Sequence, residues 1–211
     1  MQIRQLPLGP LEANCYIIKQ QGEAVIIDPG YNDEYLEIWV KENAQKVKYI
    51  LLTHCHCDHI CGAEKLKKIT NAPICIGEFD AKGYNNDNLN LSLMMGGMYP
   101  SMSDFSSPEI LLKDGDRLPL GTEEIICLHT PGHTVGGLCY VFNDAIFTGD
   151  TLFMDSIGRT DFYGGSFNEL EKSLKKLIDF AEDKDYTVYS GHGPATTISR
   201  ERRQNPYMVM L

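Results

Sequence analysis

His54, His56, Asp58 and His59 fall within six residues, His54-Cys55-His56-Cys57-Asp58-His59, and the apolar run Tyr49-Ile50-Leu51-Leu52-Thr53 leads straight into them. Imidazoles and carboxylates at this density form the donor set of a metal site, because both offer lone pairs to a divalent cation. In extended chain alternate side chains share a face. The spacing therefore predicts that His54, His56 and Asp58 converge on one side, while the chain turns to bring in His59. Two neighbouring ions fit that arrangement better than one.

The chain holds six histidines, and those outside this run are His129, His133 and His192. Three further apolar runs end in small-residue turns that carry polar groups. Ile125 to Leu128 leads to His129-Thr130-Pro131-Gly132-His133, Ala145 to Thr148 leads to Gly149-Asp150, and Thr187 to Ser190 leads to Gly191-His192. Each reads as a strand followed by a turn. Ligands of α/β sheets gather where strand ends and helix starts converge, so these strand ends point to one composite site.

The set His54, His56, Asp58, His59, His133, Asp150 and His192 resembles the metallo-β-lactamase superfamily in its hydrolase form. β-Lactamases usually carry Arg in the place of His59, which sets antibiotic hydrolysis aside. Gly149-Asp150-Thr151-Leu152-Phe153, Gly158-Arg159-Thr160-Asp161-Phe162, Gly191-His192-Gly193-Pro194 and the segment from Glu201 to Pro206 look like the short, single-domain glyoxalase II-type enzymes, the hydroxyacylglutathione hydrolase-like proteins. The likeness runs from about Met1 to Pro206. It implies that His54, His56 and His133 hold one ion, that Asp58, His59 and His192 hold a second, and that Asp150 bridges them. The donor types suit zinc best, and iron or manganese also, so spacing does not name the metal.

With 211 residues, 43% hydrophobic and 23% charged, the chain is long enough to bury one real core and short for two. A single domain spanning 1–211 is the expectation. Ile3 to Leu8, Cys15 to Lys19 and Ala24 to Asp28 read as strands, and Asn32 or Asp33 can cap a helix reaching about Asn43. A helix is expected from His59 to about Ile69 and a short strand from Pro73 to Ile76. Phe167, Leu170, Leu174, Leu177 and Ile178 make a helix-spaced stripe, and Thr197 to Gln204 suggests a last short helix. This order is compatible with two sheets flanked by helices. The resemblance implies the α/β four-layer αββα sandwich, which periodicity alone does not show. The stretch 78–113 is the least regular, with Gly83, Gly96-Gly97 and Pro100 among leucines and methionines. It reads as packing with a lid-like edge, an adaptable apolar wall or a dimer contact.

A net charge of -10 repels a phosphate backbone, so a small-molecule substrate is expected rather than nucleic acid. No apolar run reaches the ~18 residues of a membrane span, and the N-terminus lacks the form of a signal peptide. A cytoplasmic enzyme without a membrane partner is the expectation. Seven scattered cysteines read as reduced thiols. Cys55, Cys57 and Cys61 sit among the ligands and read as small packing residues, with an oxidant-sensitive switch as the sharper alternative.

No Gly-x-Ser-x-Gly elbow is present, and direct attack by a hydroxide shared between two ions needs none. One ion polarises a thioester carbonyl while Asp58 or Asp150 orients the hydroxide. A thiolate with a parent pKa of ~8.5 then leaves without a strong general acid. Arg159, with Tyr163 nearby, occupies the place of a basic residue that binds glutathione in two-domain glyoxalase II. Its guanidinium could hold a substrate carboxylate, or pair with Asp161. Nineteen residues follow His192, too few for the C-terminal helical domain of those larger enzymes, which counts against glutathione specificity. His129 reads as a structural or ligand-orienting histidine, and Asp28 as a ligand-orienting or plain turn aspartate. Two other functions compete: a mononuclear iron persulfide dioxygenase using His54, His133 and Asp150, and a non-catalytic metal-stabilised scaffold. A scaffold would lack a ligand, and none is missing.

Overall fold

Apolar residues occupy both faces of the central strands, and that two-sided burial dictates a layered molecule. The computed structural model describes residues 1–211. In the first sheet β1 (Gln2–Leu8), β2 (Ala13–Gln20) and β3 (Glu23–Ile27) run antiparallel, and β4 (Val47–Leu51), β5 (Ile74–Gly77) and β6 (Ile110–Leu112) continue it in parallel. In the second, β7 (Arg117–Leu120), β8 (Glu123–His129), β9 (Leu138–Phe142) and β10 (Ala145–Gly149) form an antiparallel meander. β13 (Thr187–Ser190) pairs parallel to β10, and β14 (Thr196–Thr197) closes the edge. A small hairpin, β11 (Leu152–Phe153) and β12 (Ser156–Ile157), stands apart.

The alternation of side chains sorts the core into three layers. Tyr16, Ile18, Val25, Ile27, Tyr140, Phe142 and Phe147 pack between the sheets. Ile17, Ile26 and Ile50 face outward and are covered by α1 (Glu34–Asn43) and α3 (Ala63–Thr70) through Leu36, Trp39, Val40 and Leu66. Val141, Ile146 and Val188 face the other way, under α4 (Phe167–Ala181) and α5 (Ile198–Gln204), through Leu174, Leu177 and Ile198. The result is the αββα sandwich. Asp33 caps α1 by accepting from Leu36 N, Ser166 caps α4 and Thr197 caps α5.

The structure departs from the sequence reading in instructive places. The helix expected from His59 to Ile69 is two pieces, the four-residue turn α2 (Cys57–Ile60) and α3. The chain bends at Gly62, whose N–H donates to Pro29 O at 2.7 Å and where a Cβ would collide with the Pro29 and Tyr31 carbonyls. Asp58 consequently lies in a helical turn and not on an extended face with His54 and His56. In the stretch 78–113, Tyr84, Tyr99 and Met102 are buried in the layer beneath α1 and α3, while Leu93, Met94 and Met98 are exposed.

Tyr140 ties the sheets together at the level of the site: its hydroxyl donates to Leu52 O at 2.7 Å, two residues before His54. Tyr140→Phe removes the only side-chain donor to that buried carbonyl. It is expected to lower stability by about 1–2 kcal/mol in urea unfolding of the metal-free protein; an unchanged midpoint would count against this tie.

Candidate metal centre

The ligand-bearing segments meet at one edge of the sandwich. His54 and His56 follow β4, Asp58 and His59 sit in α2, His133 lies in the loop after β8, Asp150 follows β10 and His192 follows β13. All seven converge. His54, His56 and His133 place ligand atoms within 4.8 Å of one another, as do His54, His59 and Asp150, and Asp58, His59 and His192. Asp150 faces both ends. Its Oδ2 lies 3.4 Å from His133 Nε2, and its Oδ1 lies 3.4 Å from His59 Nε2 and 3.8 Å from His192 Nε2. Asp58 Oδ2 is 3.3 Å from His192 Nε2 and 3.6 Å from His59 Nε2.

The protein holds four of these rings by the nitrogen that faces away from the centre. His59 Nδ1 meets Asp28 Oδ2 at 2.9 Å, His133 Nδ1 meets Arg159 O at 2.7 Å, and His192 Nδ1 meets Leu11 O at 3.1 Å. His54 Nδ1 lies 3.0 Å from Thr53 Oγ1, whose own proton goes to Asp28 Oδ2 at 2.6 Å. A carboxylate, a carbonyl or a hydroxyl that has already given its proton to Asp28 can only accept, so each of these nitrogens carries a proton and Nε2 is the nitrogen turned inward for a metal. His56 is the exception: its Nδ1 faces inward, 2.9 Å from His133 Nε2. His54 Nε2, His59 Nε2 and Asp150 Oδ1 are buried with no hydrogen-bond partner in the protein. Three orphaned polar atoms around one point are costly unless a cation satisfies them, so the residues present fit a pair of metal ions.

The two ends differ electrostatically. Burial, reinforced by neighbouring imidazoles, holds His54 well below the ordinary histidine range and His56 down to about 3. That end offers neutral nitrogen donors. At the other end burial also disfavours a charged His59, but Asp58, Asp150 and Asp28 outweigh it and raise the ring well above its usual value. His192 is raised against its own burial by Asp58 and Asp150. Burial opposes ionisation of Asp58 and Asp150, yet the adjacent His59 brings both below the usual carboxylate range.

Several supports were not singled out by their sequence. Asp80 is buried and accepts from Cys55 N at 3.1 Å, Thr134 Oγ1 at 2.7 Å and Gly136 N at 2.6 Å, clamping the His54–His56 segment to the His133 loop. Asn14 donates to the carbonyls of Ser190 and Gly193, each at 2.9 Å, and fixes the His192 turn. A Cβ at Gly191 would overlap Asp150 Oδ1, so only glycine lets that turn close over the centre. A lone Asp in Gly77-Glu78-Phe79-Asp80 carries no spacing signal.

The remaining candidates fall in different places. Asp28, at φ +50, orients His59 and Thr53. His129 belongs to no ligand group and meets Val135 O at 3.0 Å, bracing the loop beyond His133. The Arg159 guanidinium is held by both Asp161 oxygens at 2.7 Å and lies over the Phe162 ring, while its carbonyl orients His133. Tyr163 is exposed on the wall of a cleft beside His56. Cys55, Cys57 and Cys61 are buried in the core beneath the helices, and burial pushes Cys57 to about 12 and Cys61 to about 11. All three pack among apolar side chains, and Cys55 also lines that cleft. No helix is long and apolar enough to cross a membrane.

The chain matches the family model "Metallo-beta-lactamase superfamily" over residues 8–192 and belongs to that superfamily. It is 34% identical to the probable metallo-hydrolase YqgX of Bacillus subtilis (strain 168), covering 99% of this chain and 98% of that protein. It is 33% identical to the hydroxyacylglutathione hydrolase GloC of Haemophilus influenzae, over 99% and 98%. Among solved structures, the BLEG-1 B3 metallo-beta-lactamase superposes with TM-score 0.89 at 34% identity, covering 98% of this chain and 99% of that one. TTHA1623 in a di-iron-bound form superposes with TM-score 0.85 at 32% identity, over 97% and 99%. Fold, site and relatives together define a metal-dependent hydrolase with a His/Asp site for two ions.

Two outcomes test this geometry. A proton and a metal ion compete for His59 Nε2, and because the folded protein raises the affinity of His59 and His192 for protons, metal uptake at pH 7 must expel them. Titration of metal-free protein with Zn²⁺ in weak buffer is expected to release protons, with apparent affinity falling as pH drops; proton-neutral binding contradicts it. Asp28→Asn is expected to weaken binding of one ion about 10- to 100-fold in competition with a chromophoric chelator, and wild-type affinity for both ions contradicts the role of Asp28.

Proposed function

We propose that the protein is a dinuclear metallohydrolase that cleaves a thioester of a hydroxyacyl-thiol type. The observation that carries the reading is the complete second donor group, Asp58, His59 and His192, set against His54, His56 and His133 with Asp150 between. A single-iron dioxygenase built on His54, His133 and Asp150 leaves that second group without a task. The 33% identity with GloC over nearly both whole lengths supports the thioester.

Divalent ions held by these groups supply a Lewis acid for a carbonyl oxygen and lower the pKa of bound water towards ~7; zinc suits the donors, and the di-iron form of TTHA1623 supports iron equally. The chain's own contribution is placement. Asp150 and Asp58 are ionised, acceptor-only carboxylates aimed into the centre, able to orient an attacking water by accepting a hydrogen bond from it. The rings of His54, His59, His133 and His192 are committed at both nitrogens once the centre is filled, so four of the five ligand imidazoles cannot protonate a leaving group and His56 alone keeps its outer nitrogen uncommitted. A thiolate departs without such help, whereas an amine does not. This favours a thioester over an amide.

The likeness to BLEG-1 favours a β-lactam amide as the second reading. The test uses one preparation: metal per chain, then hydrolysis of a hydroxyacyl thioester and of a chromogenic cephalosporin, and oxygen uptake with a persulfide. Two ions and thioester turnover are expected. Cephalosporin turnover alone would move the assignment to the lactam, and one iron with oxygen uptake would overturn the hydrolase. Asp58→Ala is expected to lower kcat at least ~10²-fold while the urea midpoint of the metal-free protein stays near wild type; full turnover by this variant would remove Asp58 from the mechanism.

A further inference from the structure

A cleft of about 450 Å³ opens directly beside His56, within the size range of small-molecule sites. Its walls are largely apolar, from exposed Phe79, Val135 and Tyr163 and half-buried Leu89, with Phe79 at 56% and Tyr163 at 78% exposure. Large apolar side chains left in water around a concave surface next to a reactive centre mark a place where a ligand's apolar part lies.

The charges around this cleft are unevenly committed. Asp80 faces it, but both its oxygens are taken by Cys55 N, Thr134 Oγ1 and Gly136 N. Arg159, the cation that sequence reasoning put forward for a substrate carboxylate, lies nearby in sequence to Tyr163 and is held bidentately by Asp161. Neighbouring Glu78 lies 3.7 Å from Lys113. Lys82 is the one Lys or Arg lining the cleft, it is exposed, and it makes neither an ion pair nor a hydrogen bond. On a chain of net charge -10, an unpaired ammonium at the rim of a largely apolar cleft whose other polar side chains are His56, Asp80 and Thr134 is a local exception.

We propose that this cleft receives the non-reacting arm of the substrate, that the arm is apolar along its length and ends in a carboxylate, and that Lys82 rather than Arg159 selects for that charge. The proposal rests on the thioesterase reading for the reacting end of the molecule. Lys82 thereby determines specificity without touching the bond that breaks. Its ammonium is a mobile point charge on a flexible stem, suited to a terminal carboxylate that the apolar walls hold only loosely. An arm bearing a neutral amide in place of the carboxylate fits the same walls and loses only the ionic contact.

The test separates this inference from the reaction itself. Binding of 3-(benzylthio)propanoate and of its amide, 3-(benzylthio)propanamide, is measured by calorimetry on the metal-loaded protein. Hydrolysis of the lactoyl thioesters of 3-mercaptopropanoate and 3-mercaptopropanamide is followed by thiol release. Wild type is expected to favour the carboxylate member of each pair by about fivefold, the range of an exposed ion pair. Lys82→Ala is expected to bring the ratio to about one, and Lys82→Glu to invert it. Equal preference in wild type, or an unchanged ratio in both variants, overturns the proposal. Carboxylate-selective binding that depends on Lys82, with no hydrolysis of either thioester, upholds the cleft and contradicts the thioesterase reading instead.

Discussion

The structure depends on one constraint: an imidazole is poised for a metal shell when the protein fixes one of its nitrogens and leaves the other turned inward, as it does for four of the five ligand rings. Asp28 meets that demand for two of the rings. One carboxylate, at the end of β3, takes Thr53 N at 2.7 Å, Thr53 Oγ1 at 2.6 Å and His59 Nδ1 at 2.9 Å. It thereby orients His59 directly and His54 through the threonine. Capture of Thr53 also ends β4 at Leu51, two residues before the apolar run itself ends, and releases the chain into the loop and helical turn that carry the other ligands. Arg159 O and Leu11 O do the same for His133 and His192 from opposite sides of the centre.

The αββα architecture makes this possible because Leu11, Asp28 and Asp80 come from segments whose positions the sheets already fix. Leu11 lies in the β1–β2 turn, Asp28 follows β3, and Asp80 follows β5. The layer between the sheets holds these strand ends in register, so small polar residues on loops inherit the rigidity of Tyr16, Ile27, Tyr140 and Phe147. The same arrangement separates charge: a buried all-imidazole end and a carboxylate-rich end sit on either side of Asp150. Donors so divided suit two ions better than one.

Much of this was legible in the sequence. The His54–His59 run, His133, Asp150 and His192 each follow an apolar run that is a strand in the structure, because strand-end ligands leave a local signature of hydrophobic run, small residue and polar residue. The cap at Asp33, the short helix after Thr197 and the stripe of α4 are equally local. β6, β7, β9, the β11–β12 hairpin and β14 were not read: they are short, or, like Leu138-Cys139-Tyr140-Val141-Phe142, apolar on both faces, so they show no alternation. Asp58 was placed on an extended face because the turn at Cys57 depends on a tertiary bond, Cys57 N to Asn90 O at 2.8 Å. Asp80 and Asn14 were invisible for the same reason, since what makes them matter is partners 25 to 179 residues away. Arg159 carries two readings in the sequence, a substrate group by resemblance and a partner of Asp161, and only the three-dimensional structure selects the pair with Asp161.

The central claim, that fixed outer nitrogens present a double set of bare donors, is tested most directly by anomalous diffraction from a crystal of the metal-loaded protein. The account predicts two peaks ~3.5–4 Å apart. One is met by His54 Nε2, His56 Nδ1 and His133 Nε2, the other by Asp58, His59 Nε2 and His192 Nε2, with Asp150 reaching both. A single peak, or coordination through the Nδ1 of His59 or His133, would contradict it.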